Sequence, residues 1–406
     1  MAQEKKYIPE LRFPEFQNDG EWGSLPISDN IITITPPKKI PSSEYKANGR
    51  YPIIDQSTKF IAGYSDDEMA LINIEQSDYI VFGDHTCTLK LINFPFIQGA
   101  DGIKIFKPKG MLLSARYLYQ YLSAYPIISN EYKRHFSDLK EKQIIYPHNL
   151  NEQHKIADCL SSLDDYINVT KQKVDQLKEY KKGLMQRLFP AKGKTAPEFR
   201  FPEYCDAKGW ESSSLGAIGD TFGGLSGKSS DDFGSGRPFV TYKQVFDFSE
   251  VSIKDCSLVR VVEDESQNKL EYGDVLVTMS SETPKEIGYT SVVTDKDLPE
   301  CYLNSFCFIY RLFDKDSFDP RFLIYLFSCD IYRSSVIRIA QGITRYNISK
   351  TLFKDIMLPY PKDKSEQRAI AEVLYSVDTQ INKYIQKLNG LETQKKGLRQ
   401  QLFLKL

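Results

Sequence analysis

Seven cysteines occur without a single CxxC pair, and the four histidines are scattered. Neither a disulfide framework nor a Cys/His zinc site can be built on that spacing, so the thiols read as buried or inert and no metal is expected. Long apolar runs are missing too. None approaches the ~18 residues of a membrane-spanning helix, and MAQEKKYIPE at the N-terminus lacks the apolar stretch of a secretory signal. The expectation is a cytoplasmic chain with no membrane partner. An excess of either charge is absent: 53 Lys and Arg stand against 54 Asp and Glu, a net charge of −1. Any contact with nucleic acid must come from local patches, because there is no bulk positive field.

Catalytic signatures are lacking as well. Gly223, Gly224, Leu225, Ser226, Gly227, Lys228 and Ser229 approach a phosphate-cradling loop, but that motif requires Gly where Phe222 stands. The Asn/Asp-Pro-Pro-Tyr/Phe tetrad of adenine methyltransferases does not occur; the one Pro-Pro pair, Pro36 and Pro37, lies between Thr35 and Lys38. The Pro-Asp opening of a common nuclease motif is absent. His85 beside Asp84 has the chemistry of a general base, yet no Ser or Cys nucleophile accompanies it at a recognisable spacing. No catalytic residue is assigned. With 41% hydrophobic and 26% charged residues over 406 positions, the chain reads as two to three soluble globular domains.

What is present is repetition. From Glu152 to Phe189 a seam at alternating steps of four and three carries Ile156, Leu160, Leu163, Ile167, Val174, Leu177, Leu184 and Leu188, with Thr170 and Lys181 at its two remaining positions. This is a heptad seam, uninterrupted by Pro until Pro190, and it predicts a helix of about 57 Å. Adding 214 to each number leads to Glu366–Phe403, where Ile370, Leu374, Val377, Ile381, Tyr384, Leu388, Leu391, Leu398 and Leu402 fill the same seam. Off-seam identities that heptad chemistry does not require recur as well: Glu152 and Glu366, Gln153 and Gln367, Asp164 and Asp378. The run Lys181, Lys182, Gly183, Leu184 returns as Lys395, Lys396, Gly397, Leu398. Two such helices most simply bury their stripes against each other, in a direction the seam leaves open. Lys181 and Lys395, charged at seam positions, suit a helix pair exposed there to something else, and Gly183 and Gly397 suit close approach by a partner.

A second repeat has a different offset. Pro9–Phe16 (PELRFPEF) returns 188 positions later as Pro197–Tyr204 (PEFRFPEY), and Trp22 returns as Trp210, the only other tryptophan. The chain is two tandem units, residues 9–196 and 197–406, each a globular domain followed by a long helix, joined through the flexible stretch Ala191–Pro197. Between the repeated ends the sequences diverge. Short β-branched and aromatic runs, Ile31–Ile34, Asp78–Phe82 and Gly102–Phe106, then Pro238–Val245, Asp274–Met279 and Tyr302–Leu312, read as strands. Helices are expected at Ala115–Leu122 and Phe322–Ile331.

This arrangement resembles the specificity subunit of Type I restriction-modification systems over nearly the whole chain. The second domain carries the most specific motifs: Gly224–Ser229, Gly273–Leu276, Ser280–Pro284, Tyr302–Cys307 and Thr344–Ser349. In the first, Tyr51–Gln56, Phe60–Tyr64, Phe82–Thr86 and Gly99–Gly102 are similar to a second type of recognition domain; Arg is expected after Thr86, where this chain has Cys87. The resemblance implies an α+β fold in which two mixed α/β target recognition domains alternate with two long helices, packed as an antiparallel coiled coil in a pseudo-two-fold tandem repeat. Residues 1–150 form the first recognition domain, 151–190 the first helical region, and 191–218 the linker and start of the second repeat. Residues 219–362 form the second recognition domain and 363–406 the second helical region. It also implies a non-catalytic reader of a bipartite, gapped target in double-stranded DNA, docking two methyltransferase and two restriction subunits. S-adenosylmethionine, ATP and Mg would belong to those partners, and this chain would bind no cofactor.

The residues offer their own support. Arg and Lys pair with guanine and Asn and Gln with adenine, while Lys, Ser, Thr and Tyr hold phosphates. Candidates in the first domain are Lys38, Lys39, Lys59, His85, Thr86, Lys90, Lys133 and Arg134. In the second they are Lys228, Ser229, Tyr242, Lys243, Ser280, Ser281, Thr283, Arg338, Gln341, Thr344, Arg345, Tyr346 and Asn347. Two other readings stay open: a coiled-coil adaptor whose variable domains bind proteins, and an enzyme with an unrecognised site. DNA binding weakens with salt and leaves a footprint, which separates the first from a reader.

Overall fold

The computed structural model describes residues 7–75, 77–100, 102–127, 134–262 and 264–404. The chain forms two compact units, Met1–Gln172 together with Gln386–Leu406, and Lys173–Ile385. Each contains one globular domain, the start of that domain's own long helix, and the end of the other helix.

In the first unit a four-stranded antiparallel sheet runs in the order Ile31–Ile34, Ile103–Pro108, Tyr79–Gly83, Leu89–Ile92. A second sheet has the order Gly63–Ser65, Tyr51–Ile54, Phe96–Gln98, Leu71–Ile72, with its middle pair parallel. Tyr79–Gly83 is buried throughout, as its unbroken apolar run requires for a strand covered on both faces. The helix Ala115–Ala124 turns Tyr117, Leu118, Tyr121 and Leu122 onto this core beside Trp22, Phe106 and Phe136.

The second unit repeats the plan with different residues. Its main sheet runs Gly219–Gly223, Cys307–Leu312, Val275–Thr278, Thr290–Val292, and its smaller sheet Ser257–Val259, Phe233–Val240, Tyr302–Leu303, again with a parallel pair. One scaffold therefore carries both divergent middles. Three local expectations change. The predicted strand Pro238–Val245 ends at Val240, because Thr241 and Gln244 form a reciprocal capping box that starts a helix at Tyr242–Asp247. Tyr302–Leu312 is interrupted at Asn304, whose carboxamide accepts from the Phe306 amide at 2.9 Å and turns the chain. The helix expected at Phe322–Ile331 is two, Pro320–Leu326 and Asp330–Ile339, the former capped by Asp319.

The long helices span Leu150–Leu188 and Lys364–Leu402, 39 residues each, or about 58 Å. Within the first unit Asp164 pairs with Lys395 and Lys171 with Glu392, so one helix ascends as the other descends. Within the second, Lys181 pairs with Asp378 at 2.6 Å, while Leu177 packs on Val377 and Ile381. Both segments are antiparallel. The seam, though, is shared with the domains: Ile156 and Leu160 enter the first core, Ile370 and Leu374 the second. Lys181 and Lys395 are not left open, because each is matched by an aspartate of the opposing helix.

The remaining duplicated residues have structural work. Glu152 is a bidentate acceptor of Arg12 at 2.7 and 2.8 Å, and Glu366 of Arg200 at 2.7 Å twice. Both carboxylate side chains are 1% exposed. Gln153 donates to the carbonyls of Leu112 and Pro147 and accepts from the Ser114 amide; Gln367 does the same with Ser317, Pro361 and Asp319. The sequence repeats thus mark where each long helix is fastened to its domain.

Candidate nucleic-acid interface

In the first domain three of the motif loops converge at one end of the sheets. Thr86 and Thr88 both donate to the Gln56 carbonyl, at 2.9 and 3.1 Å, joining Tyr51–Gln56 to the turn after Gly83. The Asp84 amide donates to the Gly102 carbonyl at 2.7 Å, and Gly99 to Ile54 at 2.9 Å. A Cβ on Gly102 would lie 2.8 Å from the Gln56 amide nitrogen, with φ at +98°, so the loops close only around glycine there. Cys87 occupies the left-handed region at φ 54°, which its short hairpin turn imposes. Burial pushes its thiol up, and it leans on the core where the resemblance led us to expect a DNA-facing Arg.

Exposure sorts the first-domain candidates. Lys38, Lys39, Lys59, Thr86 and Arg134 are exposed and His85 half-buried, Lys38 being paired with Asp67 at 2.6 Å. Lys90 is a correction. Its ammonium is buried and donates to the carbonyls of Asp55 and Lys59 at 2.8 and 2.6 Å, tying down the loop instead of reaching outward. Burial lowers its pKa, with Asp55 pulling the other way. Lys133 lies outside the described residues, as does Asp101 of the Gly99–Gly102 motif.

The second domain closes the equivalent end in the same manner. The Asn304 amide donates to Val240 and the Met279 amide to Phe306, both at 3.0 Å, and Tyr242 donates its hydroxyl to the Ser280 carbonyl at 2.7 Å. Ser280 and Ser281 pair with Asn347 and Tyr346 as two short antiparallel strands, which joins two motifs far apart in sequence. Gln341 and Asn347 exchange backbone hydrogen bonds at 3.0 and 2.8 Å, so the segment between them projects as a tight loop. Gly342 is required there: a Cβ would meet the Arg345 carbonyl at 2.0 Å. Arg338, Gln341, Thr344, Arg345 and Asn347 are exposed and Tyr346 half-buried. Arg345 stands over the Phe306 ring at 5.9 Å.

Here too some candidates turn inward. The Lys228 side chain is 5% exposed, donates to the Arg260 carbonyl at 2.6 Å and pairs with Glu265; Ser229 caps the following turn through Asp232. Both shape the Gly-rich loop. Ser280 and Ser281 are buried, so that pair supplies backbone, whereas Thr283 and Lys243 are exposed. Between the helix at Tyr242 and these loops lies an open cavity of about 420 Å³ lined by Tyr242, Phe246, Glu282, Glu286, Phe306 and Arg345, with Ser280 and Ser281. A reading that selects cations, amides and hydroxyls passes over its aromatic and acidic members. Glu282 and Phe306 nonetheless lie inside motifs that are conspicuous in the sequence.

Among the described residues no group of His, Cys, Asp or Glu is placed to hold a metal ion, and no helix is long and apolar enough to cross a membrane.

Residues 21–179 and 207–393 match the Type I restriction modification DNA specificity domain family. The specificity subunit of Type I restriction enzyme MjaVIII from Methanocaldococcus jannaschii is 24% identical over 269 residues, 61% of this chain and 58% of that protein. A putative Type I restriction enzyme specificity subunit from the same organism, MjaX, is 27% identical over 201 residues, 48% of this chain and 46% of that one. The chain thus matches about half the length of these relatives. In fold it is similar to the crystal structure of the Type I restriction-modification S subunit from M. genitalium, with a TM-score of 0.66 at 17% identity, covering 98% of this chain and 99% of that one. Since the family match takes in both domains and most of both long helices, the chain belongs to the Type I restriction-modification DNA specificity family.

Proposed function

We propose that the chain reads a bipartite, gapped target in duplex DNA, residues 28–146 contacting one half and 219–358 the other, without catalysing a reaction itself. The observation that carries this reading is the loop end present in both domains. In each, three loops from equivalent strand connections are joined by hydrogen bonds to backbone carbonyls, from amides and from the Thr86 or Tyr242 hydroxyl. Thr86 is exposed on the first set and Lys243 and Thr283 on the second, while Lys59 and Arg134, and Arg338, Gln341 and Arg345, are exposed on other segments of the same domains. Rigid scaffolds with variable loops are how one fold serves different target bases. The long helices then act as a ruler for the spacer between the half-sites.

Methyltransferase and restriction subunits would supply adenine methylation, ATP-driven translocation and cleavage, with S-adenosylmethionine, ATP and Mg held by them. Two cavities at equivalent register support a partner that docks twice. One, about 690 Å³, is lined by Glu392, Lys395, Lys396, Arg399, Gln400 and Phe403. The other, about 590 Å³, is lined by Lys178, Lys181, Lys182, Met185, Gln186 and Phe189, each 214 positions earlier.

The test is to co-express the chain with its cognate adenine methyltransferase and map modified adenines across a genome. Modification confined to one gapped, asymmetric motif, and redirected when either domain is exchanged, is the expected result. A stable complex that modifies no defined motif would favour an adaptor that binds proteins. Lengthening both long helices by a heptad should alter the preferred spacer, and unchanged spacing in a site-selection library would count against the ruler.

A further inference from the structure

The cavity in the second domain has a chemistry that phosphate binding does not explain. Glu282 and Glu286 are exposed on its rim, and among the described residues neither carboxylate has an ion-pair or hydrogen-bond partner. On a surface facing DNA, an unpaired carboxylate is repelled by phosphates and by the acceptor atoms of guanine and thymine. Only an exocyclic amino group, cytosine N4 or adenine N6, satisfies it in the major groove. The surroundings are fixed enough to use that difference. The loop carrying both glutamates is clamped by Arg333, which donates to the carbonyls of Gly288 at 2.9 Å and Lys285 at 2.9 Å, and by the Tyr332 hydroxyl, which reaches Gly288 at 3.0 Å. Gly288 itself is wedged against Val336, with no room for a Cβ. The same cavity is lined by Tyr242, stacked with Phe246, and by Arg345, which lies over Phe306 and is a donor fork with no hydrogen-bond partner among the described residues.

We infer that Glu282 and Glu286 determine specificity in the half-site read by the second domain, accepting from the amino group of a cytosine or adenine while Arg345 donates to a neighbouring guanine. This rests on the DNA-reading function proposed above. Mixed acceptor and donor side chains on one rigid rim distinguish adjacent base pairs, whereas a purely cationic rim would hold phosphate and could select only guanine.

The assay is methylation by the complex of this chain with its methyltransferase, on duplexes in which the second half-site is randomised. In E282Q or E286Q an amide nitrogen replaces one acceptor oxygen. At least one variant should lose a C or A preference at a single position by about 5- to 150-fold while the first half-site stays unchanged. The same preference is probed without mutation by placing purine for adenine, or pyrimidin-2-one for cytosine, at each second-half position and measuring wild-type binding. One analogue should weaken binding to a similar degree. If both variants keep every preference, or wild type is indifferent to every analogue, the assignment falls although the gapped motif stands. If wild type selects no gapped motif at all, the reader function falls and this assignment with it.

Discussion

At the scale of single residues, the direction in which a lysine points decides what it does. Lys90 lies on the strand after one conspicuous motif and Lys228 within another, yet both turn inward and donate to backbone carbonyls of other segments, those of Asp55 and Lys59 and that of Arg260. Lys90→Met and Lys228→Met should each destabilise by about 1–3 kcal/mol, because acceptors lose their donor. The slope of log affinity for DNA against log salt should stay as in wild type. Arg338→Ala removes an exposed cation and should flatten that slope by about 0.9 with little effect on stability. A salt titration of all three variants beside urea melts separates the outcomes. The Gly-rich loop adds a pH dependence. Asp232 is held down to about 2 by the Ser229 amide, the Arg260 guanidinium and the Ser229 hydroxyl. A depressed carboxyl contributes its stabilisation above its ordinary value near 3.8 and loses it as pH falls toward 2. The amide resonance of Ser229 should therefore move between pH 4 and 2, stay still between 5 and 8, and show no acid transition in Asp232→Asn. Residue types in the sequence located the motif loops. Orientation was not legible, because Lys90 alternates into the core only once the register of Leu89–Ile92 is known.

At the scale of elements, period and punctuation were enough for the long helices: Glu152–Phe189 and Glu366–Phe403 were expected, and Leu150–Leu188 and Lys364–Leu402 are found. A heptad reports that a stripe is covered without saying by what. Ile156 and Leu160 pack on sheet and helix side chains of a domain, Leu177 on the opposing helix, and the pattern is the same for both. Composition places a strand at Pro238–Val245 where Phe233–Val240 is found, because Tyr242 and Val245 favour strands while the capping box decides the conformation. Gly183 and Gly397 offer a direct measurement. A Cβ at either would meet no heavy atom within 4 Å. Nothing within the chain needs a glycine there, so each should cost about 1 kcal/mol of helix stability. Gly183→Ala should raise the urea midpoint of the second unit and Gly397→Ala that of the first by that equivalent, and the double variant should raise both. No gain would mean that the glycine backbone is used in a way these contacts do not reveal.

At the scale of the whole molecule, two sequence repeats with different offsets, 188 and 214, become intelligible once the units are drawn by contact instead of by order. Each domain is completed by the last residues of the helix that belongs to the other repeat. Leu402 and Phe403 enter the first core, where the Phe403 ring meets Tyr117 and Tyr121 edge-on at 5.6 Å and its carbonyl accepts from Tyr125, 278 positions away. Leu188 and Phe189 enter the second, with Phe189 stacked on Phe322 at 5.8 Å and edge-on to Trp210. The tandem repeats give an order of domain then helix and leave this exchange unseen, because a repeat in sequence does not say which copy its end will pack against. The exchange predicts crossed effects. Phe403 and Phe189 are 2% and 3% exposed, so replacing either with Ala should cost about 3–5 kcal/mol. For units of this size that is a fall of roughly 6–20 °C in melting temperature. In calorimetry of the full chain, Phe403→Ala should lower the transition that Trp22→Phe also lowers, and Phe189→Ala the one shared with Trp210→Phe. If Phe403→Ala instead moved with Trp210→Phe, the units would follow the order of the sequence, and the contacts of Phe403 with Tyr117 and Tyr121 would not be what holds the first domain together.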